Sequence, residues 1–163
     1  FAFEKYLPFQ AHVWSAIKKE AADAVVKPPA GHKALIYGSD VSHRMVDFAQ
    51  RNAERAGVAD VVEFRGGDAL QRMPPTDVPG VLLLNPPYGE RIGEQDELAV
   101  FYPQLGSALK KHWAGWNCFF FTADLRLPKL VGLKPSRKTP LFNGPLECRL
   151  FEIRMVAGSN RKA

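Results

Sequence analysis

Helical and strand periodicities alternate along this chain. Residues 11–26 place Val13, Trp14, Ile17, Ala21 and Val25 near helical spacing, and Lys27-Pro28-Pro29 stops the segment. A short apolar strand is predicted at 34–37, followed by Gly38-Ser39-Asp40. A second helix is predicted at about 42–56, with Met45, Phe48, Ala49, Asn52 and Ala56 on one face and Gly57 as its C-terminal cap. Residues 61–64 read as the next strand, with Gly66-Gly67-Asp68 behind it. The continuous apolar runs 81–84 and 117–122 read as strands covered on both faces by helices. Between them, residues 98–113 offer Phe101, Leu105, Ala108, Leu109 and His112 or Trp113 as a helix face, and a short helix is predicted at 124–131. Residues 134–156 form a hairpin around Asn143-Gly144, with a change of alternation phase between Leu150 and Phe151 that suggests a bulge.

Helix and strand in alternation, then a terminal hairpin, predict an α/β fold: a doubly wound sheet with an antiparallel edge. The 163 residues suit one domain, which runs to roughly 100–200 residues. With 46% hydrophobic and 24% charged residues, the composition excludes a disordered tail or a disulfide scaffold. Cys118 and Cys148 form no C-x-x-C pair, so neither a zinc site nor a redox motif is spelled out, and two buried thiols in a reducing compartment are expected. No apolar run approaches the roughly 18 residues of a membrane span, and the N-terminus has no long apolar secretory core. A cytoplasmic location and no membrane partner are expected.

Charge is divided unevenly. Residues 126–163 carry nine Lys/Arg against two acids, while the preceding 125 carry 13 against 15. A basic C-terminal face beside a neutral to acidic body suits a polyanion docking next to a small-molecule pocket, or is simply a solvated face.

In doubly wound sheets ligands bind beyond the carboxyl ends of the strands, and three such ends carry chemistry. Asp40 follows the first strand, where a carboxylate either accepts two hydrogen bonds from a ribose diol or caps the next helix. Asp68 follows Gly66-Gly67, where it either accepts an exocyclic amine of adenine or shapes an Asx-type turn. Asn85-Pro86-Pro87-Tyr88-Gly89-Glu90-Arg91 follows the buried strand 81–84. Its two prolines cannot continue a ladder and pin an extended turn. That turn leaves the Asn85 side-chain carbonyl and the Pro86 main-chain carbonyl to accept hydrogen bonds from one amino group, and Tyr88 offers a face for a flipped base, or else the segment is a proline-stiffened loop with a packed Tyr.

Asp40, Asp68 and N-P-P-Y in this order resemble class I S-adenosylmethionine (SAM)-dependent methyltransferases that modify exocyclic amino nitrogens. The longer N-P-P-Y-G-E-R string, with G-S-D-V-S, N-A-E-R-A-G and L-F-N-G-P-L-E-C, is similar to the guanine-N2 methyltransferases of large-subunit (23S) ribosomal RNA, whose full chains carry an upstream RNA-binding THUMP domain. The resemblance implies a Rossmann-like sheet, mostly parallel, with an antiparallel C-terminal hairpin. It implies that Asp40 with Val41 and Asp68 with Ala69 hold SAM, leaving S-adenosylhomocysteine (SAH) as product, and that Asn85, Pro86, Pro87 and Tyr88 receive the guanine without a metal. Lys134, Arg137 and Lys138 on the basic hairpin are candidate contacts to RNA phosphates.

One departure stands out. That family has a glycine-rich strand-turn-helix ahead of the region beginning at Phe1-Ala2-Phe3-Glu4-Lys5, and no G-x-G-x-x-G occurs in the 163 residues. The expectation is a partial catalytic domain spanning 1–163, without the first strand, the first cofactor motif or the THUMP domain, and inactive by itself. Other targets for the amino-binding tetrad are a tRNA guanine-N2 or an adenine-N6 of DNA or RNA. A non-catalytic RNA-binding module is the reading from another class, and a nicotinamide dehydrogenase is opposed by the missing glycine fingerprint.

Overall fold

The computed structural model describes residues 1–26, 28, 31, 36–86 and 94–156. In chain order the elements are α1 (Ala11–Asp23), β1 (Ile36–Asp40), α2 (His43–Ala56), β2 (Val62–Gly66), β3 (Val81–Leu84), α3 (Glu94–His112), β4 (Asn117–Thr122), α4 (Leu127–Leu130), β5 (Arg137–Asn143) and β6 (Leu146–Arg154). The strands form two sheets: a parallel pair β1-β2, and a four-stranded sheet ordered β3-β4-β6-β5. β3 and β4 pair in parallel, while β6 runs antiparallel to both β4 and β5. The α/β class and the antiparallel C-terminal hairpin therefore match expectation, but no described strand joins β1 to β3.

The core lies on one face of the larger sheet. Cys118, Phe120 and Thr122 alternate into it from β4, Phe151 and Ile153 from β6, and Tyr102, Leu105 and Leu109 from α3. Each such large apolar side chain contributes on the order of 1.5–3 kcal/mol by leaving water. α3 carries Pro103, which has no N–H for the carbonyl one turn back. The helix turns close to α4 at Gly106, where a Cβ would lie 1.9 Å from the Val131 carbonyl oxygen.

Several expectations are corrected. The runs 81–84 and 117–122 are not covered on both faces among the described residues, since Val81 and Leu83 on the face away from α3 are 64% and 67% exposed. The expected apolar face of α2 is also largely open: Met45 and Phe48 are exposed, and Ala53 is the buried residue. Both differences have one cause, the absence of a described strand or helix against those surfaces. β1 and β2 run further than their apolar residues, because the parallel ladder continues through Gly38↔Phe64 to Asp40↔Gly66. The short helix is only Leu127–Leu130, because Asp124 folds the preceding residues into a turn. β6 has no bulge: pairing is continuous from Arg137↔Glu152 to Asn143↔Leu146, and Leu150 is half-buried on the face opposite Phe151. Asn143 is the last strand residue, and Gly144 takes the positive φ (59°) of the turn.

Candidate active site at the carboxyl ends of the parallel strands

At the carboxyl end of β1, Asp40 Oδ1 accepts the Ser42 backbone N–H at 2.8 Å. Ser42, not Asp40, is the N-cap of α2. At the end of β2, Asp68 Oδ1 accepts the Leu70 N–H at 2.9 Å. The parallel register sets Asp40 against Gly66, and the Gly67 N–H donates to the Asp40 carbonyl at 3.0 Å, so the two acids share one corner. Each carboxylate spends one oxygen on its turn, and both residues are exposed, as are Val41 and Ala69. The second oxygens remain acceptors for a ligand. Gly66 is small for a reason: the His43 imidazole of α2 lies where its Cβ would stand, 2.8 Å from Cε1.

The other half of the site stands at the end of β3. Leu84 pairs with Phe120, so Asn85 and Pro86 leave the ladder beside Phe121 and Thr122 of β4. Asn85 is exposed and Pro86 is buried. Pro87 and Tyr88 lie outside the described residues. The loop 67–80 ties the halves together: Leu70 packs on the main core, the Trp113 indole N–H donates to the Arg72 carbonyl at 3.2 Å, and Arg72 Nη2 donates to the carbonyls of Arg65 and Gly66.

A fourth strand end escaped the sequence reading. Beyond β4, Asp124 Oδ1 accepts the Arg126 backbone N–H at 2.9 Å and the Arg126 Nε–H at 3.0 Å, while Oδ2 accepts from Nη2 at 2.9 Å. The Asp124 side chain is 7% exposed and that of Arg126 63%. The hydrogen bond from the Arg126 side chain, its backbone N–H and its charge together hold the Asp124 carboxyl below its ordinary range against the opposing effect of burial. The signal was present: Asp124 stands two residues past its strand, as Asp68 does past β2.

The basic hairpin residues are placed differently from a single patch. Arg137 pairs with Glu152 level with Phe119, and Lys138 pairs with Phe151 level with Phe120, so they occupy opposite faces at mid-sheet. Lys138 Nζ sits 5.9 Å from the Phe151 ring. Lys134 precedes the strand and is exposed. A groove of about 370 Å³ lined by Phe3, Phe9, Val13, Trp14 and Ile17 is apolar and belongs to the N-terminal segment. Among the described residues no group of three or more His, Cys, Asp or Glu side chains is arranged to hold a metal, and no helix is long and apolar enough to cross a membrane.

Parallel strands ending in acids, with Asn-Pro-Pro after the third and an antiparallel closing hairpin, define the class I methyltransferase fold. Residues 3–152 match the family UPF0020, described as RMKL-like, methyltransferase domain, and the chain belongs to that family. It is 38% identical over 162 residues to Ribosomal RNA large subunit methyltransferase K/L of Shewanella baltica (strain OS185), which covers 99% of this chain and 23% of that protein. The chain thus spans about a quarter of the length of the curated relatives it matches. Among solved structures, it is similar to a possible methylase from Clostridium difficile 630, with TM-score 0.78, 31% identity and coverage of 99% of this chain and 41% of that one. It is also similar to SMU.472, solved in complex with SAH, with TM-score 0.76, 27% identity and coverage of 98% and 41%.

Proposed function

We infer that this chain is part of the catalytic domain of a cytoplasmic enzyme that transfers a methyl group from SAM to the exocyclic N2 of a guanine in large-subunit ribosomal RNA. The observation that carries the reading is the placement of Asp40 and Asp68 at one corner, past β1 and β2, with Asn85-Pro86 at the carboxyl end of β3. The family and the K/L relative support the transfer to ribosomal RNA. The choice of N2 of guanine rests on the N-P-P-Y-G-E-R resemblance.

The residues present fit such a cofactor. Asp40 has an oxygen for a ribose hydroxyl and Asp68 one for the adenine amine, each already oriented by its own turn. When bound, SAM supplies an electrophilic methyl on a positively charged sulfur. The chain's part is to prepare the nucleophile. The guanine amine is poorly nucleophilic because its lone pair is delocalised into the ring. The Asn85 side-chain carbonyl and the Pro86 main-chain carbonyl accept its two N–H bonds, which favours a more tetrahedral nitrogen and aims its lone pair, so positioning supplies much of the rate. By the N-P-P-Y resemblance, Pro87 and Tyr88 complete the tetrad that receives the base. The nitrogen sheds its proton after transfer, so no general base is needed. Lys134, exposed ahead of β5, is the hairpin cation placed to attract phosphate, while Arg137 and Lys138 lie on opposite faces of the sheet and add only general positive charge.

The test is methyl incorporation from tritiated SAM by the full natural polypeptide into ribosomal RNA, tRNA and DNA, followed by nucleoside analysis. N2-methylguanosine in large-subunit RNA, abolished by Asn85→Ala, is the expected result. Incorporation only into DNA, or unchanged methylation by Asn85→Ala, overturns the reading.

A further inference from the structure

The hairpin reaches further toward the active side than the strands it closes. β4 ends at Thr122, which is level with Arg149 and Pro140. β5 continues for Leu141, Phe142 and Asn143 before the turn, and at about 3.3 Å per residue its tip stands roughly 10 Å beyond the end of β4. Phe142 is on that tip and is 69% exposed. Directly paired residues share a sheet face, so Phe142, Pro140 and Arg149 stand on the face of Phe120, Phe151 and α3. α4 packs on that same face through Leu127, immediately after Arg126.

Two unlike groups therefore stand on this side of the sheet, one at the tip where β5 turns into β6 and one past the end of β4. One is a planar, solvated ring with no aromatic or cationic partner among the described residues. The other is a guanidinium gripped by Asp124 through two N–H bonds, with its remaining N–H groups still to be used. An exposed ring on the hairpin tip and a preordered cation past the end of β4 match the two parts of a nucleotide, its π surface and its phosphate. β5 is three strand spacings, about 14 Å, from β3, too far for Phe142 to touch a base held at Asn85. We propose that the hairpin tip and the β4 end form a subsite for a nucleotide beside the target in the same RNA strand, with Phe142 stacking on its base and Arg126 contacting a phosphate.

This subsite deepens the proposed function and rests on RNA being the substrate, but it is read by binding rather than by methyl transfer. The probe is a short single-stranded RNA with one guanine flanked by 2-aminopurine, titrated with the full natural polypeptide at several salt concentrations. Phe142→Ala and Phe142→Leu should weaken binding roughly 5- to 100-fold and relieve 2-aminopurine quenching, while Phe142→Trp retains both. Their salt dependence should match that of the parent. Arg126→Gln should reduce the slope of log K against log salt by about 0.7, the share of one phosphate on a single strand.

Wild-type affinity and quenching in Phe142→Leu, or an unchanged salt slope in Arg126→Gln with circular dichroism intact, would overturn the subsite. Asn85→Ala separates the two ideas. If it abolishes methylation while the Phe142 variants bind normally, the proposed function stands and the subsite falls. If it still methylates while the Phe142 variants bind poorly, the subsite stands and the role of Asn85 falls.

Discussion

Gly106→Ala sets two effects of opposite sign against each other at one atom. In an exposed helix interior, alanine is favoured over glycine by about 1 kcal/mol, so propensity alone makes the variant more stable. Here the added Cβ would stand 1.9 Å from the Val131 carbonyl oxygen and 2.8 Å from its carbonyl carbon, both backbone atoms. Ordinary contact begins near 3.4 Å, so α4 or α3 must retreat by about 1.5 Å. α4 is anchored by Leu127 and capped by Val131, both in the core, and has no flexible side chain to yield at that point. Overpacking of this kind costs about 1–3 kcal/mol and occasionally more. A main-chain clash belongs at or above the top of that range, and subtracting the propensity gain leaves a net loss of about 2 kcal/mol. Urea unfolding followed by circular dichroism is the assay, with the midpoint lowered and the m-value unchanged. A variant as stable as the parent, or more stable, would refute the close approach of α3 and α4.

Three further outcomes follow from other groups. Burial pushes the Cys118 thiol from its ordinary 9.0 up to about 12. Between those values the unfolded chain has lost its proton and the folded one keeps it, so stability should fall with rising pH by at most about 1.4 kcal/mol per unit, a slope that Cys118→Ala removes in denaturant titrations at alkaline pH. The Asp124 carboxyl is held low in the folded protein, so its contribution is present above the ordinary carboxylate range and lost as pH falls through its depressed value. Arg126→Gln should be less stable than the parent at neutral pH and indistinguishable in acid, checked by unfolding at several pH values, and a difference that persists in acid would contradict the pairing. In Asp68→Asn, the Leu70 N–H keeps the side-chain oxygen and turns the amide nitrogen toward the ligand. If Asp68 holds the cofactor as proposed, an acceptor becomes a donor toward the adenine amine, so SAH affinity measured by calorimetry should drop roughly 10- to 100-fold, for about 1.5–3 kcal/mol, with thermal stability unchanged.

What periodicity made legible was the face of each element that meets α3. Leu105, Leu109 and Trp113 recur at helical spacing and are all buried, as are alternate residues of β4. It failed where a pattern describes burial that the described chain does not complete. An apolar run such as Val81-Leu82-Leu83-Leu84 reads as a strand with two covered faces, yet Leu83 is exposed because nothing described lies against it. Strand ends were also misread by up to three residues, because Gly38, Ser39, Asp40, Arg65 and Gly66 are paired through their main chains, which hydropathy does not register. The apparent bulge in β6 had the opposite origin: Leu150 and Phe151 are adjacent apolar residues on opposite faces of a continuous ladder.

The site was legible to the extent that its acids follow strands, and the missed member explains why the rule works. Asp40, Asp68 and Asp124 each accept, through Oδ1, the backbone N–H two residues onward. A strand that ends at a ligand site must turn sharply and lose its ladder partners, so the N–H groups just past it need acceptors. A carboxylate there serves one of them with one oxygen and keeps the other for an external donor, which a hydroxyl or a main-chain carbonyl cannot do so directly. The turn and the ligand contact are therefore not competing explanations of such a residue. At Asp124 the second oxygen accepts from Arg126, so the same device holds a guanidinium in place instead of keeping an oxygen for an external donor. Under the proposed function, two strand ends of one fold offer carboxylate oxygens to ribose and adenine, while at a third the carboxylate is paired with a guanidinium. The third end differs because Asp124 has an arginine two residues onward, where Asp40 has Ser42 and Asp68 has Leu70.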